Sequence, residues 1–333
     1  VTTLTFDAAV ALLAAARTPT EVFGAENPAA AYRQLAKIVH PDVAPSGEAS
    51  TRAFARLAEL WAEHRRGPTL TTRRRTYSVG EVVASGDVAD LVAVSSVEGR
   101  GLWKLARDPA DNDLVVREAH ALRQLAERGE ERHRAYVPRL VERFTHRAAG
   151  VDRAANIITR LDGFCSLAQV ARAYPDGVDA RDAAWMWRRL LVAIGFAHRA
   201  GVIHGAVLPE HVLIHPAEHG LALVDWCYAT TEEGETIPAM VSRYAAWYPP
   251  EVAARIAPTP ATDIYLATRC MTHLMGTQAP PELLRFARGC TLPSPAARPK
   301  DAWRLLGELD DVLAARYGRR VFRPFRVPGS TPA

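Results

Sequence analysis

Residues 202–214, VIHGAVLPEHVLI, and residues 223–228, LVDWCY, hold the features on which the reading of this chain turns. The apolar run Leu221–Val224 reads as a strand and ends on Asp225, a carboxylate that needs a metal, a lysine or hydrogen bonds in such surroundings. A second misfit lies upstream in Leu102-Trp103-Lys104-Leu105, where an unpaired ammonium inside an apolar strand is costly. Asn112 reads as the N-cap of a helix with Leu114, Glu118, Ala121, Leu122 and Leu125 on one face, so Glu118 is also predicted to be buried. Lys104 and Glu118 would satisfy each other.

The chain has 333 residues, 48% of them apolar and 23% charged, which suits two folded domains and excludes a disordered, collagenous or disulfide-scaffold protein. Of its 41 basic residues only Lys37, Lys104 and Lys300 are lysines, so each lysine invites a question. A net charge of +4 without a basic, aromatic-laced face predicts no nucleic-acid partner. Cys165, Cys227, Cys270 and Cys290 show no C-x-x-C spacing and read as buried or free thiols of a reducing cytoplasm. The apolar run at 8–16 is short and lacks a basic lead-in, and no stretch reaches the length of a membrane span. A cytoplasmic protein without a membrane partner is therefore expected.

The paired Lys104 and Glu118 resemble the amino-terminal lobe of protein kinases, in which a strand lysine and a helix glutamate hold the nucleotide's phosphates. Further stretches follow in kinase order. VASGDVADLVAV (83–94) resembles the glycine-rich loop, with Gly86 at one glycine position and Ala84 and Ala89 at others. Residues 156–159 resemble the strand leading to the hinge, with Thr159 near the gatekeeper position. VIHGAVLPEHVLI resembles the catalytic loop, LVDWCY the metal-binding motif, YPPEV (248–252) the Ala-Pro-Glu motif, TDIYLA (262–267) the helix after it, and AARP (296–299) the late arginine motif. The resemblance implies a Glu251–Arg298 pair, an Asp263 that holds the catalytic-loop backbone, and a structural role for His204. It implies a nucleotide site at Gly86, Lys104, Glu118, Thr159 and Asp225.

The departures from the kinase pattern concern chemistry. Where the family has His-Arg-Asp the chain reads His204-Gly205-Ala206, leaving a methyl group at the base position and no catalytic residue. The loop lysine and the metal-binding asparagine are replaced by Leu208 and His211. Imidazole suits magnesium, an oxygen-seeking cation, poorly. ATP with weak or single-ion magnesium binding is expected, the ion on Asp225 with His211 as second candidate, and no zinc, because the histidines between 198 and 219 lack cluster spacing. The glycine at 205 also removes the arginine that grips an activation-loop phosphate in many kinases.

Toward the N-terminus, Asn27-Pro28 opens a helix with Tyr32, Leu35, Ala36 and Val39 on one face, and Pro41 ends it at His40. A second helix carries Phe54, Leu57, Ala58 and Trp61. Two helices joined by His40-Pro41-Asp42 resemble the J domain of the DnaJ co-chaperones. That resemblance implies a DnaK-class chaperone partner contacted through Arg33, Lys37, His40, Pro41 and Asp42.

The expected architecture is α+β: a small all-α J-like domain (1–68), an Arg-rich linker (69–78), a bilobal protein-kinase-like fold with its N-lobe at 79–161 and C-lobe at 162–321, and a loose tail (322–333). The expected function is an adaptor that recruits a DnaK-class chaperone and binds nucleotide or an unidentified client through an impaired kinase fold, a pseudokinase. The alternative is an unconventional protein kinase or other phosphotransferase.

Overall fold

The computed structural model describes residues 4–24, 27–44 and 47–328. Its contacts divide the chain into two units, Val1–Glu81 with Ala93–Gly99, and Val82–Val92 with Arg100–Ala333.

The first unit opens with four helices, α1 (Phe6–Ala15), α2 (Pro19–Phe23), α3 (Pro28–Val39) and α4 (Glu48–Arg66). The Asn27 side chain accepts from the Ala30 N–H at 3.1 Å, so α3 starts at the predicted cap. It stops at His40, which is extended before Pro41. The helices close on Ala9, Leu13, Phe23, Leu35, Val39, Ala53, Leu57 and Leu60. Ala58, expected on the inner face of α4, is exposed, and Leu60 is buried instead. The face is set by Ala53, Leu57 and Leu60, with Phe54 and Trp61 partly covered beside them.

The expected Arg-rich linker is a hairpin. Strand β1 (Thr69–Thr71) pairs antiparallel with the start of β2 (Thr76–Ser85), Leu70 opposite Tyr77. Both of those side chains are buried, and the Thr72 N–H closes the turn on the Arg75 carbonyl at 2.9 Å. Alternating β-branched residues outweigh the arginines, whose charges reach solvent or, at Arg75, pair with Glu98.

Strands β3 (Ala89–Ser96) and β4 (Gly99–Ala106) continue the chain into helix α5 (Asn112–Arg128), β5 (Leu140–Ala148) and β6 (Val151–Thr159). The sheet order is β1-β2-β3-β4-β6-β5, and β4 pairs with β6 in a register that sets Lys104 opposite Asn156. Asn112 does not cap α5. Asp111 holds the cap position, and the Asn112 amide reaches strand β6, accepting from the Ala154 N–H at 2.6 Å and donating to the Asp152 carbonyl at 3.1 Å. The expected cap thus fastens α5 to the sheet.

The remainder is mostly helical: β7 (Cys165–Ser166), α6 (Leu167–Ala173), α7 (Ala180–Arg199), the hairpin β8 (Val212–His215) and β9 (Gly220–Leu223), then α8 (Pro250–Ala253), α9 (Pro260–Met275), α10 (Pro281–Cys290) and α11 (Ala302–Tyr317). Helix α7 runs through the core, with Trp187, Leu190, Leu191 and Ile194 fully buried. Among the described residues no helix is long and apolar enough to cross a membrane. Residues 322–328, expected to be loose, are irregular but docked. Phe325 and Val327 are buried, Phe325 stacks on Tyr174, and the Arg323 guanidinium pairs with Asp182 at 3.0 Å. Periodicity does not register such a segment, because its anchors do not repeat. Residues 329–333 of the expected tail lie outside the described residues.

Glu251 and Arg298 form a two-pronged ion pair at 2.7 and 3.0 Å, with Thr262 Oγ1 donating to the same carboxylate at 3.0 Å. Both side chains are buried, so Glu251→Ala would strand a guanidinium out of water. Urea denaturation should show a loss of about 3–5 kcal/mol for that variant.

Candidate functional site

Lys104 lies on β4 in an apolar strand, and its side chain is 7% exposed. Nζ donates to Glu118 Oε1 at 2.9 Å and to Asp225 Oδ1 at 2.5 Å. Burial alone would release the lysine proton; the Asp225 and Glu118 carboxylates overcome it and hold the pKa well above its ordinary value. Asp225 faces the opposite balance. Burial pushes its carboxyl up, but Lys104 and then His211 hold it well below the usual carboxylate range.

The sheet and helix orient this pair through a residue that the sequence reading passed over. Asn156, directly across from Lys104, donates from Nδ2 to Glu118 Oε2 at 3.0 Å and to the Val115 carbonyl at 2.8 Å. One amide therefore fastens neighbouring turns of α5 and aims Glu118 at the lysine. A polar residue inside the apolar run 154–158 was the signal, the same kind of misfit that exposed Lys104.

The catalytic-loop segment is built around Asp263, at the start of α9. Its Oδ2 accepts from the His204 N–H at 2.8 Å and from His198 Nε2 at 2.9 Å, and its Oδ1 accepts from the Gly205 N–H at 2.9 Å. His204 donates from Nε2 to the Val224 carbonyl at 3.0 Å and accepts the Ala206 N–H on Nδ1 at 3.2 Å, the pattern of a neutral ring. Burial lowers its pKa to about 4. Gly205 adopts φ +75, and Ala206 and Leu208 are fully buried.

His211 sits beside Asp225. Its Nδ1 donates to the Ala206 carbonyl at 2.8 Å and its Nε2 lies 3.1 Å from Asp225 Oδ2. Burial opposes a charge on this ring, but Asp225 and the Ala206 carbonyl raise its pKa above the ordinary value. Asp225 itself is left-handed at φ +63, an uncommon conformation for a residue other than glycine, and its two carboxylate oxygens face Lys104 and His211.

Lys104, Glu118 and Asp225 thus come together. Gly86 turns between β2 and β3, where its N–H donates to the Ala89 carbonyl at 2.9 Å and Arg107 donates to its carbonyl at 3.1 Å. Thr159 ends β6 with its hydroxyl accepting the Arg139 N–H at 2.9 Å. In the first unit, His40 Nδ1 accepts the Asp42 N–H at 3.2 Å and its ring meets Phe54 edge-on at 4.9 Å, while Asp42 is exposed.

The family model of the lipopolysaccharide kinases (Kdo/WaaP) matches residues 59–229, half of the chain. The chain belongs to this family. The match takes in Lys104, Glu118, Asn156, His204, His211 and Asp225, and leaves α1 to α3 outside. A 45-residue stretch is also 38% identical to casein kinase II subunit alpha' of Saccharomyces cerevisiae, covering 14% of this chain and 13% of that protein.

Kinase-like family membership implies ATP with magnesium. The donor set of this lipopolysaccharide-kinase relative does not fit a two-ion centre, because one Asp225 oxygen is taken by Lys104, the other faces His211, and both His211 nitrogens are engaged. A single ion would have to share the Asp225 carboxylate with Lys104 or His211. The grouping of Glu118, Asp225 and Cys227 has metal-like proximity, but the Lys104 ammonium already pairs with both of its carboxylates. Cys227 is buried, and burial pushes its thiol well above the usual range.

Keeping His204 neutral ties stability to pH. Its folded pKa lies below its unfolded value near 6.5, so the unfolded chain takes up the proton first as pH falls. The His204 contribution should be complete above about pH 6.5 and decline towards pH 4. Urea midpoints across that window should fall less steeply for His204→Gln than for the parent chain.

Proposed function

We propose that this chain is an ATP-dependent phosphotransferase acting on a sugar hydroxyl of the lipopolysaccharide type. The observation that carries the proposal is the Lys104 ammonium set between Glu118 and Asp225, the arrangement that receives nucleotide phosphates in kinase-like folds. The family match supports this alternative from the sequence ahead of the adaptor. The γ-phosphoryl group leaves the ADP oxygen and bonds to the acceptor oxygen, whose proton passes to a phosphoryl oxygen or to solvent. A loose transition state demands little of the nucleophile, so positioning and charge carry most of the rate. Without a carboxylate at position 206, turnover should be about 10²–10⁴-fold slower than with a positioned base.

A melting-temperature series tests nucleotide binding. ATP should raise the melting temperature of the parent chain, with magnesium adding little, and Lys104→Ala should abolish the shift. Radiolabelled transfer to lipopolysaccharide-derived sugars, lost in Lys104→Ala and Asp225→Ala, tests the reaction; binding without transfer would leave a nucleotide-binding pseudokinase.

A second reading, the chaperone-recruiting adaptor, is favoured by one observation of its own: His40-Pro41-Asp42 links α3 to α4, with Asp42 86% exposed. Arg33 and Lys37 lie on α3, whose J-like character and DnaK-class partner belong to this proposal. His40→Gln and Asp42→Asn should abolish stimulation of a DnaK-class ATPase, and unchanged stimulation rules the adaptor out.

A further inference from the structure

Arg117 immediately precedes Glu118 on α5 and has a different partner. Its Nη1 pairs with Glu235 and donates to the Ala229 carbonyl at 3.2 Å. The second oxygen of Glu235 accepts the Thr231 N–H at 3.0 Å, so a single carboxylate folds the 231–235 turn and ties it to α5. Each side chain is 24% exposed, which shields the pair from most solvent screening. Burial raises the Glu235 pKa, but the Arg117 pair and the Thr231 N–H bring it below the ordinary value.

The surroundings leave no place for a phosphate-gripping arginine on the catalytic loop. A side chain at Gly205 would start 2.7 Å from the Tyr228 carbonyl and 3.1 Å from Ile237 Cγ1. Ile237 is buried there, its carbonyl held by Arg255 at 3.2 Å, and Thr230 exchanges backbone hydrogen bonds with Ile203 at 2.9 and 3.0 Å. The segment after Asp225 is thus fastened before, at and after Glu235 by groups that carry no phosphate.

We propose that Glu235 is a permanent anionic latch: through Arg117 it fixes the segment after Asp225 to α5 and keeps Glu118 on Lys104 without phosphorylation. A carboxylate carries less charge than a phosphate, but here it is always present. The latch rests on the reading of Lys104 and Glu118 as the phosphate-holding pair, and deepens it by naming what keeps that pair assembled. Glu235 and Arg117 are positioning residues.

Hydrogen-exchange mass spectrometry on the full chain, shown by intact mass to carry no phosphate, tests the latch. Glu235→Gln and Arg117→Glu should each speed exchange about tenfold across 229–241 and in α5. The reversed pair, Arg117→Glu with Glu235→Arg, should restore slow exchange, and Glu235→Asp should fall between. Unchanged exchange in the single variants, or a reversed pair no slower than they are, overturns the latch. So does a phosphate-free parent chain whose segment already exchanges as fast as the variants. ATP-induced melting shifts, measured alongside, should shrink in the single variants and recover in the reversed pair. A parent chain with no ATP shift overturns the nucleotide reading alone, since the exchange data judge the latch separately.

Discussion

An ammonium group held out of water on β4 is the constraint on which the rest of the site depends. Lys104 cannot stay charged in an apolar strand unless carboxylates come to it, and the two that do belong to distant parts of the chain. Glu118 arrives only if α5 packs on the sheet, which the Asn156 and Asn112 amides enforce. Asp225 arrives only by accepting a left-handed backbone two residues after β9. Helix packing, strand register and backbone strain are therefore different aspects of neutralising one lysine.

Much of this was legible as chemical misfits. A lysine, a glutamate and an aspartate in apolar runs announce themselves, because burial without a partner is expensive wherever the chain folds. Asn156 obeys the same rule and could have been found by it. Arg117 and Glu235 could not, since an arginine or glutamate at such a position ordinarily faces solvent and their pairing depends on three-dimensional proximity. The hairpin at 69–78 was hidden by its arginines, which suggested a solvated linker although Leu70 and Tyr77 alternate into the interior. The docked segment at 322–328 was hidden for another reason: irregular backbone has no period to detect, and its anchors are a ring, a guanidinium and a valine.

The charges around Asp225 define what this centre can do. Lys104 and His211 flank one carboxylate, so the Lys104 charge offered to a bound phosphate is fixed in place by its partners. Such preorganised charge needs little rearrangement during a reaction, which is the kind of assistance that phosphoryl transfer uses most. Position 206 offers no group to receive a proton, because Ala206 is a buried methyl. Under the proposed function, assistance from that position is replaced by fixed charge alone.

The packing around Gly205 also limits which side chains this loop can accept. With the Tyr228 carbonyl and Ile237 lying against the place a side chain would occupy, and with a backbone angle of +75 that suits glycine, an arginine here would collide with the interior. Ile237 would have to withdraw and the backbone turn over in the same step. The interior occupies the place an arginine would need, so glycine at 205 and the packing of Tyr228 and Ile237 are one interlocked arrangement.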